Sequence, residues 1–491
     1  MIMLDSNIVG VSLPSIARTY HAAFSDIEWV VSGYILTFAA LLMTGGALAD
    51  TYGRRKMLVV GIVLFGVSSV LCGMAPSAVW LDIARALQGI GAAIQLSANL
   101  AVLGHEFRGP DRAKAFGVWG AVLGIAAAIG PFVGGIITSL FGWQWAFLVN
   151  APICVVLIAL ALNAVCESVD PDAGRLDIIG MITFAASLSL LVWALINANA
   201  EGWLSWSIMS KLIASLFLFV SFLFAEKMQK RPMMDLSLFR KRTFIGSSVA
   251  MFGFAASAQV MITYLPLYLQ NFFDFSAANA GFGMLPFALP LFFCPRVAAS
   301  LSTKINGKSI ILAGLAVVAV GNFLTAFFVG SGMAYWLVAC GMVVTGCGAG
   351  ILNGETAKIS MSVIPPERAG MASGIGATVR FVGLVTAVTG LGALLAGQTF
   401  QNLVTSAKRL NIALAADGNV YRVVSHITAG DISGFVGSVP ADQRTLVLSL
   451  CQQSFGDAFA SVLVAAGCVA VIACLLVFAS VDRNDTAPLS G

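Results

Sequence analysis

Apolar runs long enough to cross a bilayer recur along the chain, separated by short polar stretches. A bilayer core about 30 Å thick needs about 20 apolar residues in helical form. The runs centre near residues 10, 39, 66, 92, 126, 155, 187, 217, 256, 288, 320, 346, 384 and 469. Fourteen membrane helices are therefore expected, and the fold class is an all-α polytopic membrane protein.

Composition points the same way. Of 491 residues, 59% are hydrophobic and 10% charged, with a mean hydropathy of +0.92. A soluble domain is about 45–50% apolar and about 25% charged, so a soluble enzyme, a disordered chain and a disulfide scaffold are all excluded. A net charge of +4 is too slight for a nucleic-acid partner. The nine cysteines form no CxxC and lie mostly in apolar runs. They read as small packing residues, and no metal site is expected.

Charge placement orients the chain. Passes that alternate in direction put residues 50–56, 105–114, 166–175, 227–242, 303–308, 365–368 and 482–491 on one side, and these hold 17 of the 27 Lys and Arg residues. The short loops opposite hold only Arg18 and Lys211. Basic residues mark the cytoplasm, so both termini are expected to be cytoplasmic. One opposite segment, 398–456, is long and carries Lys408, Arg409, Arg422 and Arg444; long loops cross regardless of charge. Within it, 400–410 and 442–453 have helical spacing that suits the outer membrane face. The first run stops at the polar stretch 18–21, after about 18 residues, slightly short of a full span. No basic flank marks it as a signal peptide. Two readings stay open: about ten residues of this helix precede Met1, or the first helix is short.

Spans one to six (1–165) and nine to fourteen (243–480, including the loop 398–456) form two sets of six. Two linker helices and a cytoplasmic loop occupy 166–242, and a tail follows at 481–491. Repetition shows where GALADTYGRRK (46–56), after the second span, meets its counterpart SLSTKINGKSI (300–310), after the tenth. Gly307 and Lys308 keep register with Gly53 and Arg54, whereas Lys304 stands against Asp50.

Four stretches carry candidate chemistry. In residues 46–56, Gly46 allows close helix approach and Gly53 permits a turn with positive φ. Asp50 can pair with Arg54 or Arg55, or cap a helix. LDIARALQGIGAA (81–93) places Arg85 inside a span, where a charge faces a cavity or a partner unless it snorkels out. Gly120, Gly124 and GPFVGG (130–135) put Gly130, Gly134 and Gly135 beside Pro131, which suits touching, bent helices. LDSNIVGVSLP (4–14) places Asp5 where a charged carboxylate is costly, so it is expected to bind a proton or a cation, but not both at once. The ionisable residues inside spans are counted as Asp5, Arg85, Arg296, Glu355, Lys358 and Arg380. Glu355 and Lys358, three apart, can pair on one face. Asn99, Trp119, Gln259, Tyr264, Glu355 and Arg380 are candidate cavity residues, with Gln270 beside them; core packing is the alternative for each of the polar and aromatic ones.

Residues 46–56 resemble the signature loop GxLaDrxGrrk of the major facilitator superfamily, with Thr51 in place of a basic residue. Residues 81–93 match the fourth-helix pattern of that family. Gly124 with Gly130-Pro131-x-x-Gly134-Gly135 resembles its antiporter motif, which marks exporters. Residues 4–14 resemble the first-helix motif LDxTIVNVALP of the fourteen-span drug:proton antiporters, departing at Asn7, Gly10 and Ser12. WQWAFLVNAP (143–152), LDIIG (176–180), LPLYLQ (265–270) and PPERAGMAS (365–373) are also family-like.

The resemblance implies two six-helix repeats with substrate between them near the midplane. It implies that Asp50 latches against the opposite half, that Arg85 tunes a carboxylate, and that Arg380 answers a carboxylate across the cavity. The function expected is a secondary active exporter of drugs or other amphipathic small molecules. It would exchange them for protons across a bacterial inner membrane, as a monomer, with no cofactor beyond the proton motive force. A periplasmic adaptor is a further partner to be considered. The alternative is an importer or exporter of a dedicated metabolite or siderophore. An ATP-driven pump is excluded, because Gly307-Lys308-Ser309 lacks the first glycine of GxxxxGK[ST], which falls at Ser302. The three histidines are scattered and no HExxH or GxSxG appears, so an enzyme is not expected.

Overall fold

The computed structural model describes residues 1–20, 24–107, 109–169, 177–229, 234, 236–302, 304–362, 369–409, 424, 427, 428 and 444–482. The family-like stretch 365–373, most of 410–443 and the tail from 483 lie outside the described residues or have side chains that do.

The helices are α1 (Ile2–Tyr20), α2 (Phe24–Tyr52), α3 (Arg54–Gly73), α4 (Ala78–Glu106), α5 (Gly109–Phe141), α6 (Gln144–Leu148), α7 (Asn150–Ala164), α8 (Ile178–Glu201) and α9 (Trp206–Met228). They continue as α10 (Arg242–Phe254), α11 (Met261–Phe272), α12 (Ala277–Gly283), α13 (Leu285–Leu301), α14 (Gly307–Gly330), α15 (Tyr335–Ser362), α16 (Ala369–Arg409) and α17 (Arg444–Ser480). Thirteen of the fourteen run centres fall inside one of them, and the centre near 256 falls between α10 and α11. Among the described residues, 11 helices are long and apolar enough to cross a membrane, or 12 with the bent pair α12–α13. This is fewer than the fourteen expected. Asp5, Asn7 and Arg18 keep α1 polar for its 19 residues, and the described apolar part of α5 is only Ile129–Phe141.

Small residues let the helices touch. A Cβ on Gly61 or Gly91 would meet the facing backbone of α4 or α3 at 2.6 Å. The same device recurs between α14 and α15, where Gly321 faces Thr345 and Gly341 faces Thr325. Lipid tails offer no hydrophobic drive between helices, so such close packing supplies the association. Outward, large apolar side chains are bare: Phe217, for example, is 68% exposed. Trp80, Trp145, Trp203, Trp206 and Trp336 are also exposed, all at helix ends on the face opposite the α2–α3 turn. Tryptophans collect at a membrane–water boundary, so they mark one edge of the apolar belt.

Two departures from the expected layout matter. The described parts of the two helical stretches, 400–409 and 444–453, continue α16 and α17 rather than lying flat. At 41 residues, α16 is about 60 Å long, twice the bilayer core. Asn402 of α16 donates to the Ser454 carbonyl of α17 at 3.2 Å, tying the extensions together. The second departure is a π-helical turn, Ala255–Gln259, between α10 and α11. Such turns re-aim side chains and concentrate at functional sites.

Candidate functional site

Asp5 lies in the first turn of α1 and is 0% exposed. Its Oδ2 accepts from Arg85 Nη1 at 2.9 Å, and its Oδ1 accepts from Gln88 Nε2 at 3.0 Å and Asn150 Nδ2 at 2.7 Å. Arg85 also donates to Gln88 Oε1 at 2.6 Å and, through Nε, to the Val30 carbonyl at 2.9 Å. Its guanidinium lies over the Tyr34 ring, 4.1 Å from the centroid, with Phe147 at 5.6 Å. Ser69 Oγ accepts from Gln88 and Asn150 and donates to the Phe147 carbonyl. Charge-assisted bonds of this kind offset the cost of burying both ions. The carboxylate expected to take a proton or a cation is here paired with Arg85, and Arg85, 1% exposed, does not snorkel.

The α2–α3 turn is built differently from the expectation. A Cβ on Gly46 would meet nothing within 4 Å, whereas one on Gly45 would meet the Ala93 carbonyl at 2.9 Å. Gly45 is therefore the close contact with α4. Gly53 has φ of 108°, where a side chain would be strained. Asp50 pairs with Arg54 at 2.9 Å instead of capping α3. The cap is Glu167, whose oxygens accept from the Arg55 and Lys56 backbone N–H groups at 3.1 Å each. A carboxylate there meets the positive end of the helix dipole.

Between the helix sets, α5 is a glycine-lined rail. Gly130 packs on Asn7, Gly134 on Ile8, and Gly135 on Ala277 of α12. The Pro131 carbonyl lies against Gly281, and the Phe132 and Phe282 rings meet edge-on at 4.7 Å. Gly124 lies where side-chain surroundings fall outside the described residues.

A cavity of about 40 Å³ opens between the sets. Its wall includes Met3 and Asn7 of α1, Gln259 of the π turn, Asn353 of α15 and Arg380 of α16. Arg380 Nε donates to Gln259 Oε1 at 2.7 Å, and its guanidinium lies 4.9 Å from the Phe254 centroid. Its described partners are thus an amide and a ring, where a carboxylate was expected. Met3 and Asn7 are four apart and share a face of α1, while Asp5 between them points into the ion-pair site. One helix carries both features back to back.

The other candidates separate. Gln259 lines the cavity, but Tyr264 is buried behind it, its hydroxyl donating to the Val388 carbonyl. Glu355 pairs with Lys358 at 3.8 Å, and Lys358 also donates to Ser302 Oγ at 2.6 Å. Neither they nor Asn99 and Trp119 are among the cavity's lining residues. Gln270 binds the Val11 carbonyl at 3.0 Å, a tie between α11 and α1. Arg296 is exposed and bonds its own helix at Phe292. Asn150, Ser69, Glu167 and Asn353 went unassigned from sequence. Asn150 alone had a signal, as the polar residue of WQWAFLVNAP.

Polar groups enclosed between two sets of membrane helices serve the passage of a solute, and that is the class this geometry defines. Residues 1–388 match the Major Facilitator Superfamily, and the chain belongs to that family of membrane transporters. "Multidrug resistance protein Stp" of Mycobacterium tuberculosis (strain CDC 1551 / Oshkosh) is 34% identical over 402 residues, 81% of this chain and 74% of that protein. A "Probable actinorhodin transporter" of Streptomyces coelicolor (strain ATCC BAA-471 / A3(2) / M145) is 31% identical over 433 residues, 85% of this chain and 75% of that one. The fold is similar to a crystal structure of a bacterial homolog of the human lysosomal transporter Spinster, in inward-facing and occupied conformation. The TM-score is 0.62 at 14% identity, covering 99% of this chain and 96% of the other.

Proposed function

We propose that this protein is a proton-coupled antiporter that exports drugs or other amphipathic small molecules across a bacterial inner membrane. Fourteen spans in a 6+2+6 order carry it, with 1–165 and 243–480 as the two bundles and 166–242 as the linker. The α1 and α5 helices supply the two passes beyond the apolar count, and both termini are cytoplasmic, on the side of the basic turns. The transport unit in this reading is the monomer.

The observation that carries the reading is the back-to-back use of α1. Protonating Asp5 removes half of the ion pair with Arg85 and frees α1 from α4 and α7. The opposite face of the same helix, at Met3 and Asn7, forms the cavity wall. Proton binding and substrate binding thereby act on one rigid element from opposite sides, which is how antiport couples them. The α2–α3 turn, with Asp50, Arg54 and Arg55, changes its contacts as the bundles rock. Each charge crossing 100 mV supplies about 2.3 kcal/mol, enough for about fiftyfold accumulation.

Fluorescent-dye efflux from cells, with and without a protonophore, tests the mechanism. Efflux that collapses with the protonophore is expected; ATP-dependent efflux that survives it would overturn proton coupling. No export across a broad dye panel would shift the substrate to a dedicated metabolite or siderophore.

A further inference from the structure

Asp5 is not the only buried carboxylate facing a helix boundary. Glu28, one turn into α2, is 6% exposed, and its Oε1 has no hydrogen-bond partner. It sits on the seam between the two helix sets. A Cβ added to Gly392 of α16 would collide with Glu28 Oε1 and would stand 2.7 Å from the Tyr264 hydroxyl of α11. Around the same point, Tyr264 donates to the Val388 carbonyl and Asn199 of α8 donates to the Ala393 carbonyl. Ser32, one turn further along α2, is 0% exposed and its hydroxyl is also without a partner. The seam continues to Phe38 and Phe381, which meet edge-on at 4.3 Å.

Among the described residues, no cation answers Glu28. Facing it from α11 is the Tyr264 hydroxyl. On α4, packed against another side of α2, Asp82 has the same sign and Arg85 is engaged by Asp5. On α16 the nearest described charge is Arg380, twelve residues or about 18 Å along the helix, and Gln259 holds it. On α8, Glu201 is paired with Lys211. On α1, Arg18 bonds Ser15. The basic residues of α3 lie at the far end of α2. A carboxyl group in such a place is stable as the uncharged acid, because a lone buried charge is far costlier than a lone buried polar group.

We propose that Glu28 is a second proton-binding group, which holds its proton while the α2–α16 seam is closed and releases it when the seam opens to water. The proton binds the carboxylate from the aqueous side opposite the α2–α3 turn and leaves to the same water. Falling pH on that side therefore favours the closed seam, and rising pH releases it. The Asp5 site answers to Arg85 within one helix set, whereas Glu28 answers to the contact between sets. This deepens the antiport reading above by giving the outer seam its own proton.

The test uses the full-length protein, purified and reconstituted in liposomes. Infrared spectra at neutral pH are expected to contain a protonated-carboxyl band that is lost in Glu28→Gln and kept in Asp5→Asn. Glu28→Gln mimics the uncharged acid in size and hydrogen bonding, so its fold is retained, and Glu28→Asp keeps a titratable group. Because the Glu28 proton returns to the water it came from, the limiting substrate gradient is unchanged; lowering the pH of that water by one unit is expected to slow wild-type efflux by up to about tenfold, the scale of one proton per pH unit, and to leave Glu28→Gln unaffected. The pH response recovers in Glu28→Asp. Identical bands and identical pH responses in wild type and Glu28→Gln would overturn the proposal. Wild-type transport that ignores the pH gradient would overturn antiport instead, and the infrared band would still decide whether Glu28 holds a proton.

Discussion

Arg85 and Arg380 are both arginines held within membrane helices, yet the two helix sets treat them in opposite ways. Arg85 is closed off, bonded to Asp5, Gln88 and the Val30 carbonyl and lying over the Tyr34 ring. Arg380 is half-buried on a cavity wall, and its one described hydrogen bond goes to an amide. The first arrangement stores a charge pair; the second presents a cation to whatever fills the cavity. The two turns show the same inversion. In the first set, the Glu167 carboxylate, just beyond α7, caps the N-terminus of α3. In the second, Lys308 at the start of α14 donates to the Phe478 and Val481 carbonyls at the end of α17. Each turn is tied to the chain leaving the last span of its own set, once by an anion on N–H groups and once by a cation on carbonyls. Each charge has the sign that its helix end favours. What repeats between the sets is the tie, not the residues that make it.

The largest effect is expected from Arg85→Gln, which leaves the Asp5 carboxylate buried without its counter-ion. Thermal unfolding of the purified protein should show a loss of about 3–5 kcal/mol, while Arg380→Gln should cost under about 1 kcal/mol. Equal losses would erase the contrast. Next comes Asp5→Asn, which keeps the shape of the ion-pair site without its charge. Protonophore-sensitive efflux should disappear although the protein still reaches the membrane, and coupling that persists in this variant would remove Asp5 from the mechanism. Arg380→Gln should show its effect in transport: the substrate concentration giving half-maximal efflux shifts about tenfold, the scale of one charge-assisted bond. An unchanged value would make Arg380 a packing residue. The smallest effects belong to the turns. Glu167→Ala and Lys308→Met should each cost about 1 kcal/mol, measured in the same unfolding assay. A large loss in only one of them would show that the ties are not equivalent.

Much of this was legible in the sequence. Helix positions follow from apolar run length, and the fourteen run centres fall in helices or, near 256, in the π turn between two of them. Asp5 and Arg85 were legible because a charge inside an apolar run must find a partner. Other features were hidden for physical reasons. Glu28 sits four residues into α2, close enough to the polar end of the run that nothing in the pattern separates it from an interfacial residue. Gly45 and Gly46 are neighbours, and only the rotation of α2 against α4 decides which one makes contact. The π turn at Ala255–Gln259 inserts into a run whose hydrophobicity it leaves unbroken. Tyr264 was a cavity candidate as an aromatic residue with a polar tip inside an apolar run, whereas its hydroxyl turns to the Val388 carbonyl. Glu167 caps α3 from more than a hundred residues downstream, and no local spacing encodes such a tie.

The cavity of about 40 Å³ bears a further consequence. Sites for drug-sized ligands enclose about 300–1,000 Å³, whereas this space accommodates about three water molecules. In the conformation described this space is too small for a drug-sized molecule, so under the proposed function the bundles must part before cargo binds there. Preference among substrates is then a property of a deformation: a molecule is accepted when its contacts return the work of spreading α1 from α15 and α16. Selectivity in such a protein is elastic before it is geometric.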